Sequence, residues 1–155
     1  MEYTSVEKGK YMKILIVFPA IFIFTSMVYP QYLPKINCDS AETQEELNIC
    51  AKQKFDSSDA ELNRIYVKIL AKIRDEQKEA KDDGYGEVLK QFQESERSLI
   101  DAEKKWLSFR VVYSKVYAEI YKGGSMAPMK TYDCARELTE HRIEELKKLL
   151  EEFHE

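Results

Sequence analysis

A chain of 155 residues has room for one domain, and its 44% apolar residues suffice to bury a core. Charged residues make up 34% of the chain, whereas glycine and proline number only 5 and 4, a composition that favours long helices with few sharp turns. The formal charge of −4 comes from acidic and basic residues mixed along the chain. No basic stripe is present, so nucleic acid is not expected as a partner.

The amino-terminal segment has the pattern of an export signal. An uncharged, mainly apolar run over residues 14–28 follows three lysines, Lys8, Lys10 and Lys13. As a helix this run would span about 22 Å, less than the roughly 30 Å of a bilayer core. We therefore predict that residues 1–30 are a signal peptide, or an N-terminal anchor if uncleaved, with either Met1 or Met12 as the start. The predicted location is the bacterial envelope, periplasmic or secreted.

A linker and a long helix are predicted to follow. Pro30 and Pro34 favour extended chain, so residues 31–42 are predicted to be a linker. The first helix is predicted to begin at Thr43, because Thr43-Gln44-Glu45-Glu46 fits a capping box. Apolar residues then recur at three- and four-residue steps until Gly84-Tyr85-Gly86 interrupts the pattern: Leu47, Ala51, Phe55, Leu62, Ile65, Tyr66, Ile69, Leu70 and Ile73.

Two further apolar stripes predict two more helices. The second stripe stops at Gly123-Gly124, since glycine accepts the left-handed conformation at a helix end; its residues are Leu89, Phe92, Leu99, Trp106, Phe109, Tyr113, Val116, Tyr117 and Ile120. A loop is predicted over residues 125–130. The third helix is predicted from about Tyr132, with inward residues Ala135, Leu138, Ile143, Leu146, Leu149 and Phe153. The fold class is therefore all-α, an antiparallel bundle of three long helices with short connections over residues 43–153.

Several polar residues fall beside these apolar stripes. Asp59 and Asn63 lie four residues apart on one helix face, and Arg110 follows Trp106 by four residues. Charged groups next to a core are costly unless they are paired, so we predict a hydrogen-bonded network across the helices. The alternative is a recognition surface formed by the same side chains. The residues concerned are Asp59, Asn63, Tyr66, Trp106, Arg110, Thr139 and Arg142.

The sequence contains no recognisable catalytic pattern. Its two histidines, His141 and His154, stand apart from any ligand motif, and no nucleophile elbow, phosphate loop or His-Glu-x-x-His sequence occurs. We therefore predict a protein that is not an enzyme and that uses no metal and no cofactor. The predicted partner is another protein, with membrane contact only through an uncleaved N-terminal segment.

Three cysteines are disulfide candidates in an exported chain. Counting residues outward from the two predicted turns places Cys50 and Cys134 at the same end of two parallel helices. This geometry predicts a Cys50–Cys134 bridge that leaves Cys38 free. A Cys38–Cys50 bridge is the alternative, if the linker folds back along its own helix.

The order and spacing of these residues resemble the family named after the lysozyme inhibitor LprI over residues 38–150. The matching sequence elements are Cys38, Thr43-Gln44, Leu47-Asn48, Cys50, Asp59-x-x-Leu62-Asn63-x-x-Tyr66, Trp106-x-x-Phe109-Arg110, Gly123-Gly124-Ser125, Cys134, Thr139-x-x-Arg142 and Leu146. The family usually has a fourth cysteine where this chain has Ser114, and often an aspartate where it has Val111. The absence of this fourth cysteine accounts for the odd number of cysteines in this chain. Cys38 is the residue expected to pair with a cysteine at that position.

The resemblance implies an exported helical protein that blocks a lysozyme-type cell-wall hydrolase by occlusion. The loop over residues 123–130 is the candidate contact, because glycine permits close backbone approach and two side chains offer polar groups. The residues proposed to bind the partner are Gly123, Gly124, Ser125 and Lys130. A structural or assembly protein that docks onto another envelope component through its helices is the alternative.

Overall fold

The computed structural model describes residues 36–154 and the side chains of residues 36–153. Three long helices, α1 (Gln44–Asp82), α2 (Gly86–Ile120) and α3 (Ala127–Glu151), all pack against one another. Short 3-10 helices precede α1 and follow α3. No strand occurs in this range, so the predicted all-α bundle is confirmed. The predicted signal or anchor, residues 1–30, lies outside the described residues.

Local sequence accounts for the two ends of α1. Thr43 Oγ1 accepts a hydrogen bond from the Glu46 N–H at 3.2 Å, and Glu46 Oε2 accepts one from the Thr43 N–H at 2.9 Å. These two bonds are the predicted capping box. At the other end Gly84 has φ +79°, and the Tyr85 N–H donates to the Ala80 carbonyl at 2.8 Å. A left-handed residue with such a bond back to the last turn ends the helix and starts the hairpin.

The third helix begins earlier than the sequence analysis predicted. It starts at Ala127 and not near Tyr132, because Pro128 occupies the first turn. Proline is well suited to that position, since its ring fixes a helical φ where no N–H is needed. Lys130, predicted to lie in the loop, therefore lies in α3, and the connection between α2 and α3 comprises residues 121–126 instead of 125–130.

The core lies where all three helices meet. Buried residues of α1, α2 and α3 form one cluster: Leu62, Ile65, Ile69, Leu70, Ile73, Leu99, Ile143 and Leu146. Phe92, Trp106, Leu150 and other partly buried side chains pack around it. With 25 residues α3 is about 37 Å long, whereas α1 with 39 residues is about 58 Å long. Within residues 36–154, none of the helices is long and apolar enough to cross a membrane.

The carboxyl-terminal half of α2 contradicts the prediction that its apolar stripe is buried. Residues predicted to face the core are exposed by 43–66% of their surface: Phe109, Tyr113, Val116 and Ile120. Val112 is 63% exposed on the same side. The inward face of this half carries Arg110 and Ser114 instead, both buried. We refer to the five exposed residues as the apolar stripe of α2.

Candidate functional site

A buried arginine connects the three helices at mid-height. Arg110 of α2 is 8% exposed, and its Nη1 donates to Asp59 Oδ1 of α1 at 2.5 Å. The same nitrogen donates to Thr139 Oγ1 of α3 at 2.9 Å. Thr139 is fully buried and passes its own hydroxyl hydrogen to the Ala135 carbonyl at 2.7 Å. A single guanidinium thus satisfies polar groups from two neighbouring helices, which balances the cost of its burial.

A second ion pair lies beside the first and shares an aromatic ring with it. Arg142 Nε and Nη2 both donate to Glu103 Oε2, each at 3.1 Å. The guanidinium carbons of Arg142 and Arg110 lie 5.8 and 5.1 Å from the centre of the Trp106 ring. A second ring, Phe55, lies 5.0 Å from the Arg110 guanidinium. Cation–π contacts of this kind fix the orientation of both arginines.

Sequence reasoning missed Glu103. Glutamates on amphipathic helices usually lie on the solvent face, yet Glu103 is only 5% exposed. The signal was its position: it lies seven residues before Arg110 and four after Leu99, so all three share the inward face of α2. An acidic residue at such a position needs a cationic partner, and α3 provides one in Arg142.

A cleft of about 360 Å³ opens between α1 and α2 next to this network. Its walls are Asp59, Leu62, Asn63, Tyr66, Glu103, Leu107 and Arg110. Four of the residues predicted as a polar network therefore line the cleft: Asp59, Asn63, Tyr66 and Arg110. Trp106, Thr139 and Arg142 support these residues without lining the cleft. Burial raises the pKa of the Tyr66 hydroxyl, and the nearby Glu103 carboxylate raises it further.

The connection between α2 and α3 is held by one asparagine of α1. Asn48 Nδ2 donates to the Ser125 carbonyl at 3.0 Å, and Asn48 Oδ1 accepts from the Met129 N–H at 3.1 Å. Gln44 donates to the same Oδ1 at 3.1 Å. Residues 121–126 are all exposed, and the Ser125 carbonyl anchors their backbone to α1. We call this connection the end loop.

Two glycines shape the end loop. Gly123 has φ +82°, a conformation that side chains other than glycine rarely adopt. A Cβ on Gly124 would lie 3.2 Å from the Tyr121 carbonyl, tighter than ordinary contact. Lys130 lies one turn into α3, so the structure separates it from Gly123, Gly124 and Ser125 in the loop proper. Lys122, which the sequence analysis did not single out, is exposed in the loop with its Nζ 3.0 Å from Glu119 Oε2.

The disulfide joins Cys38 to Cys50, so the predicted Cys50–Cys134 bridge is wrong. Cys38 lies in the 3-10 helix Cys38–Ser40, which folds back against α1 and brings the two Cα atoms within 5.6 Å. Cys134 is buried and free. Burial raises the pKa of its thiol, although the neighbouring Ser114 hydroxyl lowers it in part. The position of the family's fourth cysteine therefore faces Cys134, and not Cys38 as expected.

Within residues 36–154, no group of three or more His, Cys, Asp or Glu side chains could hold a metal ion. His141 is exposed on α3. The buried ionic groups of Arg110 and Glu103 are paired across the helices, with Asp59 of α1 and Arg142 of α3. Three features of the described residues are therefore candidate binding surfaces: the end loop, the polar cleft and the apolar stripe of α2.

Comparison with known proteins places the chain in a family. The fold is that of a small three-helix bundle, and the family described as lysozyme inhibitor LprI matches residues 37–146. The chain belongs to the LprI lysozyme inhibitor family. An uncharacterized protein of Rhizobium meliloti (strain 1021) is 34% identical over 118 residues, which cover 76% of this chain and 81% of the relative. No solved structure matches the chain.

Proposed function

We propose that this protein is an exported inhibitor that blocks a lysozyme-type cell-wall hydrolase by inserting its end loop into the substrate cleft. Membership of the LprI family supports an inhibitory role. The observation that carries the proposal is a pair of hydrogen bonds, in which Asn48 donates to the Ser125 carbonyl and accepts from the Met129 N–H. A loop ordered before binding loses little conformational entropy when it is bound, which favours tight association.

The chemistry of the end loop suits a hydrolase cleft. Glycoside hydrolases of the lysozyme type use two carboxylates that flank the scissile bond. Lys122 is 76% exposed at the loop, and Lys130 lies one turn into α3 beyond it. An ammonium group can pair with a cleft carboxylate, while the glycines allow the backbone to approach closely. Inhibition would follow from occlusion of the cleft, without a chemical step on either protein.

The direct test is lysis of a peptidoglycan suspension by a lysozyme-type hydrolase, followed as loss of turbidity. We expect the full chain to slow lysis in a saturable manner. Lys122→Glu should weaken inhibition at least about tenfold, since one lost charge-assisted contact of about 1.4 kcal/mol corresponds to that factor. Lys81→Glu is the matched control, because Lys81 is an exposed lysine in the last turn of α1, at the opposite end of the bundle. Equal inhibition by both variants would reject the end loop as the contact.

Export is part of the proposal and has its own test. Lysines followed by a short apolar run over residues 14–28 support secretion to the envelope. A fusion after Lys35 to a reporter that is active only outside the cytoplasm should be active. Recovery of the untagged chain from the cytoplasm would contradict export.

A second candidate function rests on a different observation, the apolar stripe of α2. Five neighbouring apolar side chains exposed by 43–66% form a contiguous patch of the kind that marks interaction sites. The stripe favours an envelope assembly protein that docks through this helix. Val116→Lys discriminates between the two functions. If the protein is an assembly factor, the variant should lose co-purification with envelope components; if it is an inhibitor, the variant should slow lysis as well as the unchanged chain does.

A further inference from the structure

The cleft between α1 and α2 has acceptor groups that the described residues leave unused. Asp59 binds Arg110 through Oδ1, and Glu103 binds Arg142 through Oε2. Among residues 36–153, no donor bonds to the second oxygen of either carboxylate. The side chains of Asn63 and Tyr66 likewise make no hydrogen bond within this range. Asn63 is exposed and the Asp59 side chain is 45% exposed, whereas Tyr66 is partly buried and Glu103 is 5% exposed. The less exposed groups require a partner from solvent or from a ligand.

The charge of the cleft wall favours a cation. Two carboxylates and one guanidinium line it, from Asp59, Glu103 and Arg110. The cation that balances Glu103 is Arg142, which approaches from α3 and does not line the cleft. The Arg110 Nη1 is engaged with Asp59 and Thr139. The residues that line the cleft therefore carry one net negative charge by themselves, which Arg142 offsets from α3, and the groups that they leave open to a ligand are mainly acceptors.

The remaining wall is apolar and suits an alkyl chain. Leu62 and Leu107 line the cleft together with the Tyr66 ring. The volume of about 360 Å³ lies in the range of small-ligand sites, roughly 300–1,000 Å³. An apolar wall with a few convergent polar groups is the usual composition of such sites.

We propose that this cleft binds an alkylammonium or alkylguanidinium group. The cationic head donates to the free oxygens of Glu103 and Asp59 and to the Tyr66 oxygen, while the alkyl stem lies against Leu62 and Leu107. Such a group comes either from a small free amine or from a lysine or arginine side chain of a protein partner. The inference does not rest on inhibition by the end loop, because Asp59 lies eleven residues beyond Asn48 on α1, about 16 Å along the helix.

Trp106 provides the readout, because it is the single tryptophan of the chain and its ring contacts Arg110 of the cleft wall. The full chain is titrated with n-butylguanidinium, with n-butylammonium and with neutral n-butylurea of similar size. We expect a saturable change in fluorescence with at least one cation and at least tenfold weaker binding of the urea. No saturable change with either cation, or equal binding of the urea, would overturn the proposal.

Two variants localise the binding. Tyr66→Phe removes a hydroxyl that makes no hydrogen bond within the described residues, so the fold should persist while cation affinity falls several-fold. Asn63→Lys places a tethered ammonium at the cleft and should abolish binding of the free cation. Ala71→Lys, an exposed position on α1 outside the cleft, is the matched control and should bind normally. Unchanged affinity in Asn63→Lys would overturn the assignment of the site.

A final arm distinguishes the two sources of the cation. A blocked tripeptide, acetyl-Gly-Arg-Gly-amide, is compared with n-butylguanidinium. Peptide affinity equal to or above that of the free cation supports a protein side chain as ligand. Binding of the free cation alone supports a small amine.

Discussion

The hydroxyl of Ser114 on α2 lies next to the thiol of Cys134 on α3. Both residues are buried, and Ser114 also donates to the Arg110 carbonyl at 2.7 Å. In the LprI family a cysteine usually occupies the position of Ser114. These two positions are therefore where a second disulfide would form, in addition to the Cys38–Cys50 disulfide. This chain lacks that second disulfide because residue 114 is a serine.

We expect Ser114→Cys to form a disulfide with Cys134 under oxidising conditions. Closing a loop of about 20 residues should raise the free energy of unfolding by about 3 kcal/mol in the chain-entropy model. Peptide mapping without reduction should show two disulfide-linked pairs of peptides. Denaturant melts with and without reductant should measure the increase in the free energy of unfolding. Ser114→Ala is the control, because it removes only the Ser114 hydroxyl and its hydrogen bond to the Arg110 carbonyl. A melt unaffected by reductant, or a peptide linking Cys134 to Cys38, would contradict this pairing.

The Arg110 contacts make a strong prediction about stability. Arg110→Ala should lower the free energy of unfolding by about 3–5 kcal/mol, because it removes the cationic partner of Asp59 and leaves Thr139 with one bond fewer. The lower end of this range is expected, since the Asp59 side chain is 45% exposed and solvent can compensate. Denaturant melts measure the change.

Arg97→Ala is the matched control for Arg110→Ala. Arg97 lies on the same helix, and its side chain is 70% exposed with an ion pair to Glu94 at 3.9 Å. Exposed pairs of this kind contribute little, so the variant should change stability by no more than about 0.5 kcal/mol. Equal effects of the two substitutions would show that Arg110 does not act through its buried contacts.

The three helices could be predicted from apolar periodicity and from capping residues, because both are local properties of the sequence. The Thr43 capping box and the break at Gly84 depend on residues within one turn of each other, and both ends of α1 follow from them. The burial of a stripe is not local. The periodicity of Phe109, Val116 and Ile120 shows that one face of α2 is apolar, but not that another helix covers it.

The preferred Cys50–Cys134 bridge was wrong, with the observed Cys38–Cys50 bridge given only as the alternative, and Glu103 was missed for a related reason. Counting residues from the turns treats helices as straight rods, whereas the 3-10 turn that carries Cys38 brings it to Cys50 independently of the bundle register. Glu103 is buried only because Arg142 approaches it from another helix. A single amphipathic pattern contains no information about such a partner. Both features depend on how separate segments meet.

Asn48 is predicted to hold the end loop in place. Asn48→Ala removes its bonds to the Ser125 carbonyl and the Met129 N–H and should cost about 1–3 kcal/mol of stability. The Met129 amide should also exchange with deuterium faster, since its acceptor is lost. Asn63→Ala is the control, because Asn63 is exposed and without a hydrogen bond in the described residues, and it should change stability by no more than about 0.5 kcal/mol. Unchanged exchange at Met129 would show that the loop is ordered by other contacts.

The capping box predicts a pH-dependent contribution from Glu46. Hydrogen bonds from the Thr43 and Glu42 backbone N–H groups, at 2.9 and 3.1 Å, lower the pKa of the Glu46 carboxyl. A carboxyl whose pKa is lower in the folded state stabilises the fold above the pKa of the unfolded chain, roughly 4.3. This stabilisation is lost as the pH falls through the folded pKa, where the protonated group no longer accepts the two bonds as strongly.

Glu46→Gln should therefore lower the melting temperature at pH 7, and the difference from the unchanged chain should shrink as the pH approaches 2. Glu45→Gln is the matched control: Glu45 is an acidic residue of the same first turn, but it accepts no hydrogen bond from the cap. It should show only the smaller effect of removing a negative charge from the helix N-terminus. Thermal melts by circular dichroism at pH 7, 5, 3 and 2 provide the comparison. A Glu46→Gln effect that stays constant across this range would mean that packing of the side chain, and not its charge-assisted hydrogen bonds, stabilises the start of α1.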